Sequence, residues 1–416
     1  MIPHADAEVL KRLGAQKAEI AALPTHKEKA ELWRRLNDLE PVRPMVWINE
    51  IPWHEMNVDD ELTLACEDPW ARGLETSLRR ELYQWTHMPG DMIVSPFVEC
   101  PLAIESTGMG TEEDVDVVKT DEASDVVSRH FNPRISEPDD IALIRDPVIT
   151  HDEATTDRRF EAMNSIFKDV IEVKKVGVKH IWFTPWDNLI RLWDIQQAMM
   201  DLIDRPEMVN AIVARFVEAS MKMLDQYEAL NLLSAGVTNN RVGSGGYAYT
   251  NELPGADFDP SYVRPHNMWG CSNAQIFSEV SPDMLWEFAL RHDIPWLERW
   301  GMNYYGCCEP LDLKFEIIRR IPRIRKVSMS PWIKVERAAK NIGTDLVFSR
   351  KPNPAVFAED GWRPEQARFD LVEVIEATRD VNVEIIMKDI STVRYKPQRL
   401  WEWESIAMEE VQKIER

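Results

Sequence analysis

With 416 residues, 44% of them hydrophobic and 16 of them tryptophan, the chain can bury a sizeable core, as one large barrel or as two smaller domains. A formal charge of −22 argues against nucleic acid, because phosphate binding needs a basic footprint, and against anionic membrane surfaces. The amino-terminal MIPHADAEVLKRLG lacks the apolar core of a signal peptide, and no apolar run reaches membrane-spanning length. Cys66, Cys100, Cys271, Cys307 and Cys308 are unlike a secreted disulfide framework, so a cytoplasmic protein is expected.

Residues 1–40 are predicted as a helical extension capping the main domain. DAEVLKRLGAQKAEIAAL and THKEKAELWRRLNDLEP are rich in good helix formers, and Leu32, Leu36 and Leu39 share a helical face. Residues 41–416 then follow a rhythm of short apolar runs, each ending in a turn and leading into a helical pattern. The runs are PMVWIN (44–49), MIVSPFVE (92–99), HIWFTP (180–185), LLSAGVT (232–238), MNYYGCC (302–308), IRKVSMS (324–330), DLVFSR (345–350) and VEIIMKD (383–389). Their near-continuous apolar character suits strands covered on both faces. Between them lie helix starts: a capping box at Asp204 and Glu207, and Ser281 capping a helix with Pro282 at its first position. Eight strands alternating with helices predict an α/β fold, a (β/α)8 TIM-type barrel, with a doubly wound open sheet as the competitor. Residues 100–150 read as a long β/α insertion within that domain.

In such a barrel, chemistry sits at the carboxyl ends of the strands. Those ends supply Asn49 and Glu50; Glu99 and Cys100; Trp186 and Asp187; Asn239 and Asn240; Cys307, Cys308 and Glu309; Ser330 and Trp332; Arg350 and Lys351; Lys388 and Asp389. His54 follows the first strand. Neighbours on an extended strand point to opposite faces, so at most one of Cys307 and Cys308 looks into a site directly; Cys307 is expected to, with Cys308 packed behind. Free cysteines are also among the most buried residue types, so plain core packing is the competing account. The glycine-rich NRVGSGGYAYTNELP (240–254) lacks dinucleotide-binding spacing and is expected to form a flexible lid over the barrel mouth. Trp47, Trp53, Trp182, Trp186, Trp269 and Trp332 are core residues by default, yet several fall beside strand ends, where flat apolar walls suit the face of an aromatic ligand.

The segments RPMVWINEIPWHE, DLIDRPEMVNAIVARFVEASMKMLDQYEALN, WGCSNAQIFSEVSPDMLWEFALRHDIPWLERW, YYGCCEP and VFSRKPNP together resemble the uroporphyrinogen decarboxylase superfamily. That superfamily also contains the methyltransferases that exchange methyl groups with a corrinoid protein. The resemblance covers most of residues 41–395 and is diffuse. Two departures bear on function. The decarboxylases bind a polycarboxylate with arginines after the first strand, whereas this chain has no Arg between Arg43 and Arg72 and places Glu50 there. The methyltransferases hold zinc with His-x-Cys and a Cys from the last strand; here Tyr305 stands at the His position, Cys307 at the first Cys, and Lys388 and Asp389 on the last strand.

The resemblance therefore implies a corrinoid-dependent methyltransferase rather than a porphyrinogen decarboxylase. Its donor would be a small methylated compound, for which the tryptophans suggest an aromatic methyl ether. Glu99, Glu50 and Tyr305 are the expected catalytic groups, and Trp53, Trp186, Asn240 and Asp389 the expected substrate contacts. Cys307 with His54, joined by Glu50 or Glu99, would hold zinc or another divalent metal. No Asp-x-His-x-x-Gly pattern occurs, so the corrinoid would arrive on a separate protein. A lyase or decarboxylase acting on a small carboxylic acid, using Arg350, Lys351, Lys388 and Arg394, is one alternative, and a non-catalytic ligand-binding barrel is another. Association into a homo-oligomer is left open.

Overall fold

Residues 2–119 and 127–414 are described in a computed structural model of the chain. The strands, in chain order, are β1 (Met45–Ile48), β2 (Phe97–Pro101), β3 (Ile104–Ser106), β4 (Val115–Val118), β5 (Ser128–Phe131), β6 (Ile149–His151), β7 (Glu172–Val176), β8 (Trp269–Ser272), β9 (Met302–Tyr305), β10 (Ile324–Met329), β11 (Val347–Arg350) and β12 (Asn382–Met387). Six of them form a parallel sheet in the order β1-β12-β11-β10-β9-β8, with helices in the connections, so the fold is α/β. Val46 lies opposite Ile385, Val327 opposite Phe348 and Ser272 opposite Tyr305. β2 and β7 form a separate parallel pair, followed by a single bridge between Val178 and Leu233. The insertion around residues 100–150 carries two antiparallel ladders, β3 with β6 and β4 with β5; residues 120–126 of it lie outside the described residues.

Five of the eight predicted runs coincide with β1, β9, β10, β11 and β12. The others shift. MIVSPFVE becomes strand only from Phe97, and LLSAGVT makes the one bridge at Leu233. HIWFTP is not a strand: the charged EVKKV before it is, and HIWFTP runs past that strand's carboxyl end into the short helix Pro185–Leu189. The six-stranded sheet is completed by WGCS (β8), four buried residues whose Gly, Cys and Ser do not make an apolar run.

Alternation along the strands sorts the side chains into two layers. Val46, Ile48, Tyr305, Val327, Met329, Phe348, Ile385 and Met387 join the large apolar core. The intervening residues face the other way, where apolar Met45, Val347 and Ile386 flank a strongly polar group. Lys326 Nζ donates to Glu384 Oε2 at 2.8 Å, Ser349 Oγ to Glu384 Oε1 at 2.5 Å, and Lys351 Nζ to Ser349 Oγ at 2.6 Å and to Tyr304 OH at 2.8 Å, with every one of these groups buried. Buried charges persist when paired and hydrogen-bonded, and this set meets that condition.

The glycine-rich segment closes this polar layer instead of forming a lid. Residues 242–248 are buried, Ser244 Oγ lies 2.9 Å from Tyr304 OH, and Gly246 N donates to Glu384 Oε1 at 3.1 Å. Gly243 has φ of 54°, and a Cβ there would sit 2.4 Å from the Tyr304 ring, so the glycine permits both the turn and the close approach.

The amino-terminal residues form α1 (His4–Ala21) and α2 (Thr25–Asn37). α1 packs on α3 (Pro69–His87) through a cluster that includes Leu10, Leu13, Leu78 and Phe167. α2 sends Trp33 into the interior, where Nε1 donates to Asp91 O at 2.9 Å and the Lys326 ammonium lies 5.7 Å from the ring centroid. The extension is thus packed into the sheet as well as around it.

Candidate functional site

A cleft of about 560 Å³ opens at the carboxyl ends of the parallel strands. Glu50 enters it after β1, Cys307 and Cys308 after β9, and Lys388 and Asp389 after β12. Asn240, Arg241 and Gly243 come from the glycine-rich segment, and His180, Trp182 and Gln275 complete the wall.

The local backbone explains the presentation. Gly306, with φ of 95°, turns the chain out of β9 and swings Cys307 into the cleft. Cys307 N then donates to buried Glu309 at 2.8 Å, and its carbonyl accepts from Ser328 Oγ at 2.6 Å. Glu50 and Asp389 both adopt left-handed backbone conformations, with φ of 53° and 56°. They touch, Asp389 N donating to Glu50 Oε2 at 3.2 Å. Non-glycine residues held in that region cost about 1–3 kcal/mol each and cluster at functional sites, so two in contact mark the place.

The charges interlock. Lys388 Nζ is 2.7 Å from Asp389 Oδ2, 3.5 Å from Glu50 Oε2 and 3.5 Å from Cys307 Sγ. Arg241 Nη2 donates to Glu50 Oε1 at 2.7 Å. Cys308 Sγ lies 3.3 Å from Asp389 Oδ2 and 3.6 Å from Cys307 Sγ, so its one thiol proton can go to either. The hydrogen bond from Cys308 holds the Cys307 thiol below its ordinary value; burial opposes this and the Lys388 ammonium adds to it. Cys308 is driven up by the same contact. Burial works against the Lys388 charge, yet Cys307, Glu50 and Asp389 outweigh it and hold the ammonium on. Cys307 therefore gives up its proton more readily than an ordinary thiol, beside an ammonium that has carboxylates on its other side.

His180 and Arg241 are site residues that the sequence reading did not single out. Burial pushes His180 down to about 4, so the ring is neutral. Its Nε2 accepts from Gly243 N at 3.1 Å, which leaves the proton on Nδ1 facing the Trp269 carbonyl at 3.4 Å. Behind the wall, Gln275 Nε2 donates to Asp187 at 2.7 Å, and burial raises that carboxyl to about 6.

Of the sequence-derived candidates, Glu50, Asn240, Cys307 and Asp389 meet in this cleft with Trp182 and Lys388, and Cys308 lines it beside Cys307 instead of packing behind. The other expected catalytic, substrate and metal residues do not. Glu99 belongs to β2, outside the six-stranded sheet; it pairs with Lys179 at 2.7 Å in a different cleft with Lys17 and Trp70. Tyr305 is fully buried on the helix-facing side of β9, because alternation turns Tyr304 inward and Tyr305 outward. Trp186 is core, its Nε1 donating to Phe288 O at 2.8 Å. Trp53 packs on the core beneath the Arg80 guanidinium, 5.1 Å from its ring centroid. His54 sits beside Glu55 at 3.7 Å and against the Tyr395 ring.

The expected zinc set does not fit these positions. Among the described residues, no group of three or more His, Cys, Asp or Glu side chains is arranged to hold a metal ion. Cys307 and His54 are in different surroundings, and the Lys388 ammonium already stands beside the Cys307 sulfur. A divalent cation there would meet that positive charge at close range.

The chain shares its fold with a methyltransferase from Methanosarcina mazei. The match covers 92% of this chain and 98% of that one, with a TM-score of 0.52 and 10% sequence identity. At that identity the likeness is one of fold. No protein-family model and no curated protein matches the sequence. No helix among the described residues is long and apolar enough to cross a membrane.

Proposed function

We propose that the chain is a (β/α)8-barrel methyltransferase, akin to the corrinoid-dependent branch of the uroporphyrinogen decarboxylase superfamily, that moves a methyl group between a small methylated compound and a corrinoid on a separate protein. The observation that carries this reading is the convergence of Glu50, Cys307, Lys388 and Asp389 at the strand carboxyl ends. It does so in a chain that follows a methyltransferase fold over nearly its whole length. Barrel closure draws support from the pairing of the first strand with the last, β1 with β12. It also draws support from links across the remaining gap: Asp91 N to Val46 O at 2.7 Å, β2 with β7, Val178 with Leu233, and His180 with the Trp269 carbonyl.

The chain's own task in this reaction is binding and charge stabilisation. As a methyl group leaves, its heteroatom gains negative charge, and a proton or fixed positive charge beside it lowers the barrier. Lys388 is the group best placed for that, with Asp389 holding it and Cys307 keeping it protonated. Arg241 with Glu50 would grip the donor's polar end. Trp182 in the wall, and Trp332 after β10, 69% exposed, offer flat apolar faces at the strand ends. The corrinoid, carried by its own protein, would supply the cobalt that gives or takes the methyl group. Five free cysteines suit the reducing cytoplasm such a partner would share.

The test is methylation of a reduced corrinoid protein by a panel of methoxylated aromatics and methylamines, followed spectroscopically, with wild type and Lys388→Met. Donor-dependent methylation that Lys388→Met slows at least 100-fold supports the reading; no methylation from any donor overturns it. Because Lys388 and Arg241 would equally hold a carboxylate, a lyase acting on a small carboxylic acid is the second reading, scored by carbon dioxide release in the same mixtures.

A further inference from the structure

Arg350 ends β11 and, by strand alternation, leaves the sheet on the face opposite Ser349 and the buried polar layer. There it lines a second cleft of about 360 Å³, formed between β11, β12 and the helices Val335–Ile342 and Pro364–Ala377. Ile333, Val356, Leu371, Val374 and Trp403 give this cleft apolar walls. The guanidinium is poorly satisfied. Nη1 donates to Ser330 O at 2.5 Å, Nε is buried without a hydrogen-bond partner, and no described carboxylate lies within ion-pair distance. Burial lowers its proton affinity to about 10, against the opposing charge of Asp370 nearby. Glu336, Asp370 and Glu373 stand exposed around the cleft with Lys334, and Asp370 already accepts from Gln366 at 2.7 Å.

A half-buried charge without an ion pair is costly, and a guanidinium with an open Nη2 makes charge-assisted hydrogen bonds to a carboxylate. We propose that this cleft binds a short apolar monocarboxylate, its carboxylate on Arg350 and its alkyl chain along Val356, Val374 and Trp403. The volume falls within the roughly 300–1,000 Å³ of small-molecule sites. The site is separate from the methyl-transfer cleft and does not depend on that reading. The two are joined through β12, which supplies Ile385 to this wall and ends at Lys388 in the other.

Calorimetric titration of the full chain with hexanoate and with hexanamide tests the assignment. Hexanoate is expected to bind, with hexanamide at least about 10-fold weaker, because a charge-assisted pair is lost. Arg350→Met should weaken hexanoate by at least about 10-fold, while Cys307→Ala leaves it unchanged. Without ligand, Arg350→Met should be as stable as wild type or more so, since it removes an under-paired half-buried charge; a merely structural arginine would instead give a loss. Equal binding of acid and amide, absence of hexanoate binding, or unaltered binding by Arg350→Met overturns the proposal. Should Arg350→Met not fold, Val374→Phe fills the cleft with the guanidinium in place; it must abolish hexanoate binding, and retention also overturns the proposal.

Discussion

Glu384→Gln probes the polar layer on which the glycine-rich segment rests. Lys326 Nζ and Glu384 Oε2 are 2.8 Å apart, and both side chains are 0% exposed. At an effective dielectric of about 20 the gross attraction is 332/(20 × 2.8), about 6 kcal/mol. Glutamine keeps an acceptor for Ser349 Oγ and Gly246 N but removes the charge opposite Lys326. The ammonium is then left with the Tyr247 carbonyl at 3.2 Å. Breaking one partner of such a pair costs about 3–5 kcal/mol, so Glu384→Gln should lose that much at pH 7. Trp33 and Trp269 lie 5.7 and 5.6 Å from the ammonium, so their fluorescence in a urea titration reports on the perturbed place. The midpoint should fall with an unchanged slope. Burial opposes the Glu384 charge, yet Lys326 and Lys351 outweigh it and hold the carboxyl below 4.5. The stability this contributes is therefore present above pH 4.5 and lost as pH falls through the folded-state value, so the gap between variant and wild type should close in acid. Lys326→Met combined with Glu384→Leu, leaving no unpaired charge, should recover most of the loss. A Glu384→Gln protein within about 1 kcal/mol of wild type at pH 7 would refute the reasoning.

Iodoacetamide at pH 7 should label Cys307 ahead of the more exposed Cys308, and Lys388→Met should move Cys307 labelling to higher pH; mass-spectrometric mapping that finds Cys308 first contradicts the lowered proton affinity of Cys307. Burial raises Asp293 to about 8, where it accepts from Ser272 Oγ at 2.5 Å. The folded state then keeps a proton the unfolded chain releases near pH 3.8, so wild type should lose stability relative to Asp293→Asn between about pH 4 and pH 8, with a constant gap above, in denaturation series across pH. Gly243→Ala should cost about 2 kcal/mol or more in thermal or urea melts, since its Cβ meets the Tyr304 ring at positive φ; a neutral effect would mean the segment is not seated there.

Much of the sheet was legible because β1, β9, β10, β11 and β12 are apolar runs ending in polar residues, which is what a strand buried on the helix-facing side looks like. Strands of other character were not. β7, EVKKV, is half exposed and paired only with β2, so its charges hid it and the apolar HIWFTP drew the assignment instead. That slip concealed His180, which belongs to the residues past a strand's carboxyl end. The site came out in part for a related reason. Glu50, Cys307 and Asp389 follow the last residues of correctly placed strands, whereas the choice between Tyr304 and Tyr305 needs the register of β9, which neighbouring aromatics do not reveal. Arg241 had no signal at all, since a loop folded inward looks like any loop. Its cue is the density of glycines, which serves close approach to Tyr304 and Glu384 as readily as mobility.

The order of synthesis runs against the way the interior is assembled. Ser244 meets Tyr304, made 60 residues later, and Gly246 meets Glu384, made 138 residues later. β1 waits longest, since its partner in the sheet is β12 at the far end of the chain. At ribosomal rates of roughly 5–20 residues per second, Gly246 is without its carboxylate for about 7–28 s after it is made. Throughout that interval Tyr247 has no finished interior to enter, and Lys326 joins it only partway through. Seating the segment and adding β1 to the sheet are thus late, long-range events, slow by their loop-closure entropy. Until those contacts form, apolar strands destined for the interior stay exposed on the nascent chain.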